Sequence, residues 1–206
     1  MLNKINVKPC KNNIGAFIDV QINSVDKDQV FEIKEAINNF GVIFFRNQNL
    51  TSDNYINFSK NFGEFFNYPM LKGLKNYPNI TVVEKLPGET VAFGEGFHTD
   101  STYVEQPPSY TMLYSIKTPQ RGKGNTQFAS QYLSYEKLPE QYKKKIENLK
   151  AVFSANGPIS KTRNNRTANN GTGVDPKSLS AEHKIIKTNK LNKKKSIYLS
   201  PGHVTG

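Results

Sequence analysis

A histidine and an aspartate two positions apart, His98 and Asp100, are the residues of this sequence whose types and spacing most suggest chemistry. They stand in the stretch GFHTDSTY, which has aromatic residues on both sides of the pair. Because side chains alternate between the two faces of a β-strand, an extended backbone over 97–103 would direct both groups to one face. An imidazole and a carboxylate placed in this way can bind one metal ion.

Two such ligands and a distant histidine form the 2-His-1-carboxylate triad, which holds non-haem Fe(II) and leaves coordination positions open. The pattern His-x-Asp is short, however, and it is also typical of a surface strand that carries two polar residues. On these letters alone both interpretations of His98 and Asp100 stay open, and the surrounding elements must be considered.

Amphipathic and apolar segments alternate along the chain. Apolar residues recur at helical spacing, which predicts helices over 26–41, 51–64 and 132–149, with a restart at Pro139 in the last. Short apolar runs predict strands over 12–20, 42–47, 79–85, 109–117 and 151–155, and a hairpin within 181–206. Glycine-rich composition predicts a loop over 86–96, a turn running into a strand over 120–130, and a long loop or lid over 156–180.

Short strands with helices packed outside them predict an α+β fold built around a β-sandwich or barrel. The length of 206 residues predicts a single domain over 1–206. The net charge is +11, but only four of the 28 basic residues are arginines and no known nucleic-acid-binding motif accompanies them, so no nucleic-acid partner is expected.

Cysteine usage and hydropathy indicate a compartment. Cys10 is the single cysteine, so no internal disulfide can form. No apolar run approaches the roughly 20 residues that a membrane-spanning helix needs, and no secretory signal is evident. A cytoplasmic protein without a membrane partner is therefore expected.

The residues after the motif extend the pattern. Pro107-Pro108 and an apolar segment follow, then a glycine-rich turn that ends in Asn125-Thr126, then the helical sequence YEKL. GVIFFRNQNLT and NFGE precede the motif, and HKIIKT and SIYLSPGHVTG come after it. In this order, over nearly the whole chain, the sequence resembles the TauD/TfdA family of Fe(II)- and 2-oxoglutarate-dependent dioxygenases.

The resemblance implies a double-stranded β-helix, the jelly roll of clavaminate synthase-like proteins, with flanking helices. It implies that His98 and Asp100 are ligands of Fe(II), and that Thr126 contacts 2-oxoglutarate. A turn-closing hydroxyl is the alternative role of Thr126. No residue matches the distal histidine and arginine of the family, and the closing C-terminal strands are expected to be absent, so the domain is expected to be incomplete at its C-terminus. His183 and His203 are expected to be a packing histidine and a solvent-facing or ligand-supporting histidine.

The implied reaction hydroxylates an unactivated C–H bond of a small organic molecule with O2 and 2-oxoglutarate, and releases succinate and CO2. Tyr68, Gly94 and Ser101 are the candidate substrate contacts; taurine-oxidising members carry a histidine and an amide where Tyr68 and Gly94 stand. For Arg163 and Arg166, solvated loop charge is favoured over contact with an anionic substrate. The alternative function is a catalytically incomplete fragment that acts at most as a binding module, and self-association stays open.

Overall fold

The computed structural model describes residues 4–206, the side chain of Asn165 excepted, and these residues form two compact units. The first unit comprises the residues up to Glu64 together with Tyr114–Ser130 and Thr188–Lys194. The second unit comprises Phe65–Leu113, Gln131–Lys187 and Lys195–Gly206.

Short strands and short helices make up the regular structure. The strands are β1 (Asn6–Pro9), β2 (Ala16–Asp19), β3 (Ile43–Phe45), β4 (Lys150–Ser154), β5 (Ser180–Lys184), β6 (Ile186–Thr188) and β7 (Lys195–Ile197). The α-helices are α1 (Lys27–Phe40), α2 (Ser52–Ser59), α3 (Gln131–Lys137), α4 (Glu140–Ile146) and α5 (Asn164–Asn170). Single 3₁₀ helices span Ile22–Ser24, Lys60–Phe62, Pro158–Arg163 and Pro176–Ser178.

The first unit is built on a three-stranded sheet in the order β1-β2-β3. β1 and β2 are antiparallel, whereas β2 and β3 are parallel and are connected through α1. Ala16 and Ile18 of β2 are buried, and α1 packs against β2 and β3. The buried residues of α1, Val30, Ile33 and Ala36, repeat at the spacing of one helical face, which is why this sequence forms a helix here.

Both ends of α1 are determined locally. The Asp26 carboxylate accepts a hydrogen bond from the Gln29 N–H, and the Asp26 N–H donates one to the Gln29 side-chain oxygen. At the other end, Gly41 adopts a left-handed conformation with φ of 77°, and its N–H donates to the Ile37 carbonyl. The predicted helix over 26–41 is confirmed. The helix predicted over 51–64 is present as α2, which begins with a capping box at Thr51 and continues as a 3₁₀ helix only to Phe62.

The second unit has β4 at the centre of its packing. β4 pairs antiparallel with β5, and Phe153 of β4 is fully buried among apolar side chains from neighbouring elements. The other edge of β4 is occupied by 203–206: the Val152 N–H donates to the Gly206 carbonyl, and the Ser154 N–H to the His203 carbonyl. β6 and β7 pair with each other, so the strands of the predicted hairpin are present.

Several predicted strands are absent from the described residues. The segments 79–85 and 109–117 form no β-strand, and neither do the residues after the turn in 120–130. Their apolar composition favours strands, but a strand also requires a ladder of backbone hydrogen bonds, which sequence periodicity does not report. Leu113 and Ile116 are 77% and 88% exposed, so this apolar segment is not covered by the described chain.

Of the remaining predictions, one helix is present and one loop is not. The predicted helix over 132–149 is present as α3 and α4, with Pro139 at the N-terminus of α4. The segment 156–180 is not one long irregular loop, because it contains α5 and two 3₁₀ helices. The α+β class is confirmed, while the jelly roll stays a prediction. Within 4–206, every helix is too short or too polar to span a bilayer.

The capping box of α1 gives a first prediction. We expect Asp26→Ala to lower the free energy of unfolding and the denaturation midpoint, because the first turn loses its side-chain acceptor. Asp26→Asn keeps an acceptor and should remain close to the wild-type chain. Urea denaturation of the three proteins measures the difference, and equal stability of Asp26→Ala and wild type would contradict the role of the cap.

Candidate functional site

The loop that carries His98 and Asp100 is a series of turns. Gly94 and Gly96 have φ of 72° and 111°, and Ser101 adopts a left-handed φ of 51°. The predicted extended backbone over 97–103 is therefore wrong, since turns occupy most of this segment. Glycines allow the sharp changes of direction before the histidine, and they replace strand geometry as the reason for the placement of the two side chains.

The two side chains nevertheless meet. The His98 Nε2 lies 3.2 Å from Asp100 Oδ1. His98 Nδ1 lies 2.8 Å from the Gly96 carbonyl oxygen, and because a carbonyl only accepts, Nδ1 carries a proton and donates it. The Thr111 hydroxyl donates to Asp100 Oδ2 over 2.9 Å. Each group of the pair is thus oriented by a second hydrogen bond on its far side.

Thr99 anchors the backbone between the two residues. Its N–H donates to the Ser200 hydroxyl over 3.0 Å, and its own hydroxyl accepts from Gln131 Nε2 over 3.1 Å. Gly202 permits this close approach, because a Cβ at that position would lie only 3.1 Å from the Cβ of His98. The loop is therefore fixed by α3 and by the turn at 200–203.

His183 holds the segment that follows the pair. It lies in β5, it is buried, and its Nε2 is 2.9 Å from the Thr102 carbonyl oxygen and 3.0 Å from that of Val104. Its ring also packs against those of Phe153 and Tyr198. The interpretation of His183 as a packing histidine agrees with these contacts, which add a hydrogen-bonding role.

His203 is buried beside the pair and is not exposed to solvent. Its ring lies perpendicular to that of His98 with centroids 6.2 Å apart, and 5.1 Å from the ring of Tyr103. Burial chiefly, followed by the positive charge of Arg163, lowers the pKa of His203 to about 4. Across 4–206 no three histidine, cysteine, aspartate or glutamate side chains are grouped closely enough to hold a metal, so His203 does not complete a triad with the pair.

The candidate substrate contacts lie in the second unit. The hypothetical Cβ of Gly94 would lie 3.3 Å from His98 Cε1, so this glycine adjoins the imidazole directly. Ser101 is buried next to Asp100, and the half-buried Tyr68 packs edge-to-face on Phe93. These three residues are placed around the pair or on the same unit, and their substrate role stays a prediction.

Thr126 and the two loop arginines are placed differently. Thr126 is exposed and belongs to the first unit, whereas His98 and Asp100 belong to the second. Arg163 is only 4% exposed, so its interpretation as solvated loop charge is wrong. Arg166 forms a partly buried ion pair with Glu89, 2.7 Å apart, and its charge is also not simply solvated.

Three residues are buried in this unit although the sequence did not predict their burial. They are Tyr103, Arg163 and His203; the sequence assigns no role to Tyr103 and favours a solvated charge for Arg163. The only local signal is the aromatic residue three positions after Asp100. Burial of the other two follows from packing between distant segments, which a single sequence does not report.

The charges of the pair stabilise each other. The hydrogen bond to Asp100, and next the Gly96 carbonyl, raise the pKa of His98, while burial opposes them. The hydrogen bond from His98, followed in the same direction by that from Thr111, lowers the pKa of Asp100 against the effect of burial. The metal-free pair is therefore an imidazolium next to a carboxylate over an intermediate range of pH.

Comparison with known proteins places this geometry in a family. A family model described as "Taurine catabolism dioxygenase TauD, TfdA family" matches residues 6–206, nearly the whole chain. The matched residues include His98 and Asp100 and nearly all elements of the fold. The chain belongs to the TauD/TfdA family, which confirms the resemblance recognised from the sequence.

Individual relatives agree with this assignment. The chain is 29% identical over 143 residues to an alpha-ketoglutarate-dependent 2,4-dichlorophenoxyacetate dioxygenase of a Burkholderia species, covering 62% of this chain and 48% of that protein. It is 30% identical over 154 residues to an alpha-ketoglutarate-dependent sulfate ester dioxygenase of Pseudomonas putida, covering 73% and 50%. The chain thus spans about half the length of the curated relatives it matches.

Solved structures share the fold. The crystal structure of a taurine dioxygenase from Burkholderia xenovorans superposes with a TM-score of 0.67 at 22% identity. The match covers 98% of this chain and 65% of that one. At this identity the similarity supports the arrangement of the backbone.

The His98–Asp100 contact predicts a dependence of stability on pH. His98 has a raised pKa, so its contribution is full below the ordinary value of 6.5 and is lost as pH rises through the folded value. Asp100 has a lowered pKa, so its contribution is present above 3.8 and is lost as pH falls through the folded value. The pair should stabilise the metal-free chain most between these two ordinary values.

A direct test is the pKa of His98, followed by NMR in the metal-free chain. We expect Asp100→Asn to lower it, because the carboxylate that favours the imidazolium is removed. Asp175→Asn, which removes a carboxylate that caps a 3₁₀ helix, serves as the matched control. An unchanged His98 pKa in Asp100→Asn would show that the contact is not formed in solution.

The anchoring role of His183 is also testable. We expect His183→Phe to lower the free energy of unfolding by about 1–3 kcal/mol, because the buried carbonyl of Thr102 and the half-buried carbonyl of Val104 lose a shared donor. His183→Gln restores an N–H donor and should recover part of the loss. Denaturant titration compares the variants, and a wild-type value for His183→Phe would show that packing alone explains the residue.

Proposed function

We propose that this chain supplies the first two iron ligands of an Fe(II)- and 2-oxoglutarate-dependent dioxygenase that hydroxylates an unactivated C–H bond of a small organic molecule. His98 and Asp100 would hold the metal. The observation that carries the proposal is the 3.2 Å approach of His98 Nε2 to Asp100 Oδ1 within a TauD/TfdA chain.

The donor atoms of the pair fit a metal ion. Adjacent ligands of an octahedral ion, each about 2.1 Å from it, are about 3 Å apart, which is close to the observed separation. Nδ1 of His98 keeps its proton and donates it in a hydrogen bond to the Gly96 carbonyl. Loss of the proton on Nε2 therefore leaves Nε2 as the ligand atom. This outward hydrogen bond is the usual way in which proteins orient a metal-binding histidine.

The co-substrate and substrate contacts are proposed from the family resemblance. Thr126 is proposed to donate a hydrogen bond to 2-oxoglutarate, for which a hydroxyl is a compact neutral donor. Tyr68, Gly94 and Ser101 are proposed to contact the substrate. The close approach of the Gly94 backbone to the His98 ring, where a Cβ would lie 3.3 Å from Cε1, supports its place in this set.

The names of the relatives indicate a class of substrate. One acts on 2,4-dichlorophenoxyacetate, another on sulfate esters, and a yeast relative is a sulfonate dioxygenase. All three substrates carry an acidic group. A small organic acid is therefore proposed for this chain as well.

Bound iron, with O2 and 2-oxoglutarate, would supply the oxidising chemistry that breaks the C–H bond and releases succinate and CO2. The chain's own residues perform the positioning. Thr111 and Gly96 fix the orientations of the carboxylate and the imidazole, and Thr99 holds the backbone that joins them. A fixed pair avoids the entropic cost of ordering the two ligands when the metal binds.

One observation favours a second function. The described residues offer only the pair and no third ligand grouped with it. A two-ligand site would bind iron weakly, and the chain would then act at most as a binding module for the small molecule. The two functions differ in whether 2-oxoglutarate is consumed.

Anaerobic titration with Fe(II) and 2-oxoglutarate tests the metal site. We expect a weak visible charge-transfer band that disappears in His98→Ala and in Asp100→Asn, because each removes one ligand. Asp175→Asn is the matched control and should keep the band, and circular dichroism should show that all variants are folded. A band that persists in His98→Ala would overturn the assignment.

Addition of O2 then separates the two functions. Release of CO2 from 1-labelled 2-oxoglutarate, lost in His98→Ala, is expected of the dioxygenase. Binding of 2-oxoglutarate without any such release would identify the binding module instead.

A further inference from the structure

Arg163 carries a buried positive charge for which the described chain provides no carboxylate. The residue is 4% exposed, and it takes part in none of the ion pairs found within 4–206. Its Nη2 donates to the Ala155 carbonyl, a neutral acceptor. A guanidinium has five N–H donors, so this single contact to a neutral carbonyl leaves donors available to a further acceptor, and no carboxylate of the described residues balances the charge.

Arg166 shows the contrast within the same segment. It lies three residues further along and pairs with the carboxylate of Glu89 at 2.7 Å. Buried charges are normally paired in this way, because an isolated charge loses its hydration without compensation. The arrangement around Arg163 is therefore the one that requires an explanation.

The 3₁₀ helix that ends in Arg163 lies against the loop that carries His98 and Asp100. The Gly94 N–H donates to the Thr162 hydroxyl over 3.1 Å, and the Ile159 N–H donates to the Gly202 carbonyl over 2.9 Å. Gly94 and Gly202 each lie against the His98 side chain. The 3₁₀ helix that ends in Arg163 therefore contacts two glycines that pack against the His98 side chain.

Tyr103 provides a second buried donor in this region. The residue is 1% exposed, and its hydroxyl has no hydrogen-bond partner of suitable distance and angle among the described residues, although the Ser101 and Tyr68 hydroxyls influence its pKa. The Tyr103 ring packs on that of His203 with centroids 5.1 Å apart, and the turn that carries His203 is bound by the 3₁₀ helix of Arg163 through the Ile159 N–H and the Gly202 carbonyl. Burial raises the pKa of Tyr103. The hydroxyl therefore stays protonated and can donate.

We propose that Arg163 and Tyr103 form an oxyanion-binding site for the carboxylate or sulfonate of a small organic acid, next to His98 and Asp100. Both groups donate hydrogen bonds, and a guanidinium matches the planar or trigonal oxygens of such anions. An anion would satisfy the two unmatched features together: the uncompensated charge and the unpaired hydroxyl. The inference rests on the proposed function and names the residues that select its substrate.

The site is tested on the metal-free 206-residue chain by calorimetric titration with butanesulfonate, 2-oxoglutarate and butanol. We expect butanesulfonate to bind and butanol not to bind, because only the anion compensates the guanidinium. Arg163→Gln and Tyr103→Phe should each weaken sulfonate binding about tenfold or more, as expected for hydrogen bonds to a charged group. Tyr103→Phe removes a single oxygen atom, so it decides the matter if Arg163→Gln does not fold.

Two matched controls accompany these variants. Arg166→Gln removes the neighbouring guanidinium, which is already paired, and Tyr142→Phe removes the hydroxyl of a half-exposed tyrosine in α4. Both should bind butanesulfonate like the wild type. Equal weakening by Arg166→Gln would show a general effect of charge and would overturn the site.

The remaining outcomes are also decisive. If 2-oxoglutarate alone depends on Arg163 and Tyr103, the oxyanion site stands and serves the co-substrate. If neither anion depends on them, the site is refuted even where the Fe(II) band is present. If sulfonate binding depends on both residues while no Fe(II) band forms, the oxyanion site stands and the dioxygenase assignment fails.

Discussion

The 3.2 Å contact between the His98 imidazole and the Asp100 carboxylate depends on a backbone that turns between them. A pair of opposite charges this close is stable only where both groups have been oriented beforehand, since a flexible pair at a partly exposed site contributes little. Here Gly96 and Thr111 provide that orientation by binding the far side of each group. The metal chemistry proposed for the chain requires this preorganised arrangement.

The supports of this turn come from distant parts of the sequence. Ser200 binds the backbone of Thr99 across 101 positions, and His183 binds the carbonyl of Thr102 across 81. The second unit therefore brings its β5 strand and its last turn to a loop that has no regular structure of its own. The site is a property of the packed unit, although its two central residues are near neighbours in sequence.

The sequence predicted features that depend on contacts between near neighbours in the chain, and it missed features that depend on contacts between distant segments. α1 was predicted with its ends because Asp26 and Gly41 act within one turn of the helix and its buried face repeats locally. The strands expected over 79–85 and 109–117 were wrong, because apolar runs cannot indicate whether a hydrogen-bonding neighbour is present. Within the site, the identity of the pair followed from its letters and from the family resemblance. The burial of Arg163 depends on packing, so the sequence did not reveal it.

The order in which the chain is synthesised affects when the loop of His98 can be fixed in place. His203 and Ser200 occupy positions about one hundred residues after the pair, and 203–206 complete the edge of β4. During translation the loop with His98 leaves the ribosome long before these partners exist. Its contacts with Thr111 and Gln131 can form earlier, whereas its contacts with the turn at 200–203 can form only after that segment has emerged.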